Sequence, residues 1–164
     1  MLRITGLMSC LLISLAMMSF SAPAQDNNWT VFKHNYLSED GRIVDHENGD
    51  ISHSEGQGYG MLLAVMNNDL ATFKKMWGWT RSTLLRPSLG LFAWRYDPKV
   101  QKVTDENNAS DGDTLIAWAL LLAGKKWHDQ SYLTASENRQ DALINCLIIE
   151  QGNHTLLLPG LSGF

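Results

Sequence analysis

The sequence predicts an all-α chain, and three observations carry that prediction. Two stretches, 55–67 and 112–123, are apolar almost all round, the pattern of a helix buried on every side rather than of a surface helix. Both open with the same grammar, Ser54-Glu55-Gly56 and Ser110-Asp111-Gly112, 56 residues apart. Around them lie stretches with apolar residues at helical period and charges on the opposite face, so buried and amphipathic helices alternate.

The elements follow in order. Residues 28–37 read as a first helix, and 38–53, with its Gly and Asp residues, as a loop. Ser54 followed three residues later by Gln57 reads as a capping box opening the first buried helix. Its apolar run holds Tyr59, Met61, Leu62, Leu63, Val65 and Met66. Residues 69–84 form the next helix, with Leu70, Phe73, Trp77, Thr80 and Leu84 on one face and Lys74, Lys75 and Arg81 toward water. Arg86-Pro87 ends it, and 90–103 is extended or looped. Ser110 and Asp113 read as a second capping box, opening a helix that Gly124-Lys125-Lys126 stops. It is too short to cross a bilayer, so it is a core helix. Residues 131–150 form a longer, more polar helix, and 152–164 a loop.

The N-terminus is read as a leader and set apart from the fold. Arg3 supplies the positive start, 11–18 a mostly apolar core and Ala22-Pro23-Ala24 a small-x-small cleavage pattern, so residues 1–24 are expected to be a signal peptide. Removing them takes away Arg3 alone among charged residues and moves the net charge from −4 to −5. That balance argues against nucleic acid as a partner. A soluble product, secreted or periplasmic and without stable membrane insertion, is expected. Cys10 leaves with the leader, so Cys146 stands alone among apolar neighbours and reads as a small buried hydrophobe rather than a nucleophile. All six Trp follow the leader. Aromatic faces cover the C–H faces of sugar rings, although each Trp also suits a core.

The stretch from Glu55 to Met61, with Asn107-Asn108-Ala109-Ser110-Asp111-Gly112-Asp113 and the following Ile116-Ala117-Trp118-Ala119-Leu120-Leu121 to Trp127, resembles glycoside hydrolase family 8. Within it the chain is most similar to the secreted endoglucanases that accompany bacterial cellulose synthesis. The resemblance runs along 25–164 and implies an (α/α)6 barrel, of which about five of the twelve helices are present. The chain is therefore expected to be the N-terminal portion of a longer catalytic domain. The implied activity is endo-1,4-β-glucanase, a cellulase hydrolysing β-1,4-glucan without a cofactor or metal, with the cellulose synthase machinery as a further partner. A shortened chain that binds glucan without turnover is the alternative.

Glycoside hydrolysis needs a carboxylic acid to protonate the leaving oxygen and, in an inverting enzyme, a carboxylate to activate water. Glu55 matches the family's proton donor. A helix start favours the anion, whereas a general acid must carry its proton, so burial or a neighbouring carboxylate has to offset the dipole. Both Glu55 and Asp111 also suit a purely structural role in a capped first turn. Asp111 matches the family's motif aspartate, a catalytic-centre carboxylate acting as base, nucleophile or sugar-holding residue, while the resemblance implies a base from the later half of the barrel. Trp94, in Leu91-Phe92-Ala93-Trp94-Arg95, matches an aromatic platform and equally suits a core. Tyr59 lies one helical turn beyond Glu55 and is expected to line the same cleft. Asn107 and Asn108 suit sugar hydroxyls or turn chemistry.

Two metal chemistries fail by residue identity. A calcium loop starting at Asp105 meets Ala109, Ser110 and Ile116 where a ligand, a Gly and a Glu are required. A zinc pair starting at His46-Glu47 meets Asp50 where the second His belongs, with Gly49 interrupting the helix. His53, in the loop before Glu55, reads as solvated.

Overall fold

The computed structural model describes residues 27–162, so the expected leader lies outside the described residues. Among these residues there are five α-helices: α1 (Asn27–Tyr36), α2 (Ser54–Met66), α3 (Leu70–Thr83), α4 (Ser110–Trp127) and α5 (Gln130–Leu147). α2 and α3 form one hairpin and α4 and α5 another. They join through α2 packed on α4, so these two run side by side and begin at the same end.

Small residues set how close the helices lie. A Cβ added at Gly58 of α2 would stand 2.5 Å from Leu115 Cβ of α4, and one at Gly124 would stand 2.5 Å from Leu133 Cδ2 of α5. Met61, Phe73, Met76, Ile116 and Leu120 fill the space between with no exposed surface. Phe73 meets Trp127 and Tyr132 edge-on, which ties α3 to both ends of the second hairpin's turn. α1 is held by Asp69, the N-cap of α3, which accepts from Trp29 Nε1 at 3.1 Å and Lys33 Nζ at 2.8 Å.

The all-α expectation needs one correction, because a small sheet crosses the end where α2 and α4 start. β3 (Leu91–Asp97) pairs with β4 (Lys102–Asn108), with β1 (Ser52–His53) and with β2 (Leu85–Arg86). All these pairings are antiparallel. A second correction concerns the end of α5. Helix was expected to residue 150, but α5 stops at Leu147, and β5 (Ile148–Gln151) pairs with β6 (His154–Leu157) around Gly152 at φ 62°. β-branched Ile148 and Ile149 favour the strand over another helical turn.

The other boundary misjudged is the end of α4, which runs through Gly124 to Trp127. His128, left-handed at φ 53°, caps it there. Gly124 serves close packing against Leu133 rather than termination. α2 and α4 are not buried on every side either: Tyr59 and Trp118 are each 52% exposed and Met66 73%. Cys146 is free and half-buried at the margin of a small cluster formed by Leu91, Ala142 and Leu147. No helix among the described residues is long and apolar enough to cross a membrane.

Candidate active site

The two Ser-acid-Gly openings meet. A Cβ on Gly112 would stand 2.8 Å from the Glu55 nitrogen and 2.8 Å from Ser54 Cβ, and closer still to Ser54 Oγ. The first turns of α2 and α4 are therefore in backbone contact, which places Glu55 and Asp111 on adjacent helix starts. Both side chains line one cleft of about 660 Å³, whose walls also include Trp94, His53, Ser110 and Pro159. Glu55 is half-buried and Asp111 exposed.

Neither helix start is capped as the sequence suggested. His53, not Ser54, is the N-cap of α2: its Nδ1 accepts from Gly56 N at 3.0 Å, and its Nε2 lies 3.4 Å from Asp45 Oδ2. The expected solvated loop His is thus a cap and a cleft wall. Gln57 turns into the core, where its Oε1 accepts from Ile43 N and its Nε2 donates to Thr80 Oγ1 at 2.7 Å. That leaves the Ser54 hydroxyl buried without a hydrogen-bond partner among the described residues.

The second capping box fails for a similar reason. Ala109 is the N-cap of α4 and has no side chain to offer. The chain returns instead: Ser110 N donates to the Pro159 carbonyl at 2.9 Å, and Gly112 N donates to Asp111 Oδ1 at 2.6 Å. Asp113 is fully buried and accepts from Phe92 N at 2.8 Å and Asn108 Nδ2 at 2.8 Å. Burial pushes its carboxyl up to about 6 against the pull of those two donors and of Arg139, with the Asp111 charge adding to the rise.

Asn107 and Asn108 likewise serve the fold rather than open space. Asn108 Oδ1 accepts from Leu161 N at 2.8 Å, and Asn107 Oδ1 accepts from Ser162 N at 3.1 Å, so both hold the segment that returns past Pro159. Trp94 sits where the β3–β4 register slips between Ala93 and Arg95. An irregularity of this kind re-aims a side chain, and Trp94 reaches the cleft. The Asp105 carboxyl, which accepts from Asn107 N at 2.9 Å, is held below its usual range by Trp94 and by that donor. Of the other Trp residues, Trp29, Trp77 and Trp79 are core.

The cleft thus brings together Glu55, Asp111 and Trp94 but not Tyr59, which stands exposed on α2 outside its lining. The residues missed were His53 and Asp113. For Asp113 a signal existed, since it shares the i, i+3, i+4, i+7 face of Ile116, Ala117 and Leu120, all buried. An acid on that face must be held by donors. Chemically, two carboxyl groups beside an aromatic face offer proton transfer and charge stabilisation to a ring lying along the cleft.

The family model "Glycosyl hydrolases family 8" matches residues 4–164. An endoglucanase of Cellulomonas uda is 49% identical over 137 residues, covering 83% of this chain and 38% of that protein. A probable endoglucanase of Novacetimonas hansenii is 43% identical over 150 residues, covering 89% and 44%. Among solved structures, endoglucanase Cel10 from Klebsiella pneumoniae, a family 8 glycosyl hydrolase, is similar with a TM-score of 0.82 at 49% identity over 85% of this chain and 45% of its own. The chain spans less than half the length of these relatives. A match along nearly its whole sequence nonetheless settles its affiliation: the chain belongs to glycosyl hydrolase family 8.

Proposed function

We propose that this chain provides the proton-donating side of an endo-1,4-β-glucanase cleft, acting on cellulose or a related β-1,4-glucan. The observation that carries the reading is the contact between the first turns of α2 and α4, with Glu55 and Asp111 lining one cleft beside Trp94. In this reading Glu55, as the acid, gives its proton to the glycosidic oxygen as the bond to the anomeric carbon breaks. Water adds to that carbon and its proton passes to a carboxylate. Asp111 faces the ring, where a negative charge stabilises the developing oxocarbenium ion. Trp94 stacks on a sugar ring.

The same reading takes the two helical hairpins as the N-terminal part of an (α/α)6 barrel, with α2 and α4 in its inner ring. The exposed Tyr59, Met66 and Trp118 on those helices support it, since an inner ring has further helices on its flanks. Residues 1–24 are proposed to be a signal peptide directing the protein to the periplasm or outside, where it would work beside the cellulose synthase machinery. A second reading is glucan binding by the same cleft without turnover.

Reducing-sugar release from carboxymethylcellulose separates the two. Turnover by the wild-type chain that Glu55→Gln abolishes supports hydrolysis. Glucan binding with no release above background assigns the chain to the second reading.

A further inference from the structure

The buried carboxyl of Asp113 sits at a junction that the hydrolytic chemistry does not use. Its Oδ1 takes the Phe92 N–H of β3, two residues before Trp94. Its Oδ2 takes the Asn108 Nδ2–H at the end of β4, two residues before α4 begins. Asn108 in turn accepts from Leu161 N, two residues past Pro159. Asp113 and Asn108 are both fully buried, so water does not substitute in the bonds that join Asp113 to Phe92 and to Asn108. Three walls of the cleft, those bearing Trp94, Asp111 and Pro159, therefore hang on one directional relay. It runs from Phe92 N–H to one carboxyl oxygen of Asp113, and from the Asn108 amide to the other. A third donor, Leu161 N–H, closes it on the carbonyl oxygen of the Asn108 side chain.

We propose that Asp113 is a positioning residue for glucan: without touching the sugar, it acts through Phe92 and Asn108 to set the Trp94 strand and the Pro159 segment against Asp111. The proposal rests on the glucan reading for its ligand and on the relay for its geometry.

The direction of the relay gives a strict test. Asp113→Asn keeps shape but points its new amide at Asn108 Nδ2, a donor against a donor. Flipping Asn108 only moves that conflict to Leu161 N. Asn108→Asp alone sets two buried carboxylates face to face. The double variant Asp113→Asn with Asn108→Asp satisfies every partner again. The amide introduced at position 113 donates to the carboxylate introduced at position 108, which also accepts from Leu161 N.

The measurements are cellohexaose affinity and amide hydrogen exchange at Phe92 and Leu161, made on the full chain and its three variants. The expected result is a loss of affinity of about tenfold or more in each single variant. Amide exchange should be faster in each, and both properties should return to within about threefold of wild type in the double variant. Folded single variants that bind and exchange like wild type overturn the proposal, as does a double variant no better than the singles. If the wild-type chain binds no cellohexaose, the glucan reading fails by itself, and the exchange pattern alone decides whether the relay sets these walls. If Asp113→Asn does not fold, Asn108→Ser removes the acceptor of Leu161 N and leaves Phe92 N–H on Asp113. Exchange must then rise at Leu161 and stay slow at Phe92, and equal effects at both overturn the relay.

Discussion

Gly112→Ala tests the contact on which the cleft depends, because two effects of known size oppose each other. In an ordinary helix interior the change is favourable by about 1 kcal/mol, since Gly loses more backbone freedom on folding than Ala. Here the new methyl would stand 2.8 Å from both Glu55 N and Ser54 Cβ, and closer to Ser54 Oγ. Two of those atoms belong to the backbone or are fixed to it, so no side-chain rotation relieves the clash and α2 has to move away from α4. Overpacking of this kind costs about 1–3 kcal/mol. The net lies between no change and a loss of about 2 kcal/mol, or a fall in Tm of up to roughly 6 °C. Gly78, exposed in the middle of α3 with nothing within 4 Å of an added Cβ, is the control. Gly78→Ala should stabilise by about 0.5–1 kcal/mol. Thermal unfolding followed by circular dichroism reads both. If Gly112→Ala stabilises the chain as Gly78→Ala does, the first turns of α2 and α4 are not in contact and the site loses its geometric basis.

Two further outcomes are expected. Gln57→Leu removes the acceptor of Ile43 N and the donor to Thr80 Oγ1 and should cost about 2–4 kcal/mol in urea unfolding, because buried partners are left unpaired; a change under about 1 kcal/mol would contradict the core role assigned to Gln57. The raised Asp113 carboxyl, facing Arg139 and Asp111, favours the folded state fully only below its unfolded value near 4, and that contribution is lost as pH rises through about 6. Wild type should therefore lose up to about 3 kcal/mol relative to Asp113→Asn between pH 4 and 7, and a difference that stays constant across urea titrations in that range would refute the burial argument.

The five helices were legible because their signals are local, an apolar period and the turn residues between elements; the caps Asp69 and Asp129 emerge only in the structure. Glu55 and Asp111 were legible as a pair because the repeated Ser-acid-Gly opening places two small residues where two helix starts touch. What stayed hidden is set by distant partners. Gln57 has the spacing of a capping residue, yet Ile43 and Thr80 claim it. Asp113 has the same spacing, yet Phe92 and Asn108 claim it. His53 caps α2 because its Nδ1 reaches Gly56 N, and only the strand pairing of His53 with Arg95 fixes that geometry. The β5–β6 hairpin was hidden because Ile148 and Ile149 continue the apolar content of α5 without a break in pattern until Gly152.

The most direct measurement of the central claim is a crystal structure of the Glu55→Gln chain with cellohexaose. The account predicts a glucan chain in the cleft, with a glycosidic oxygen within hydrogen-bonding distance of the residue 55 side chain, a ring stacked on Trp94 and Asp111 facing the neighbouring ring. Sugar bound elsewhere with the cleft empty, or seated in the cleft with residue 55 out of reach of any glycosidic oxygen, would contradict it.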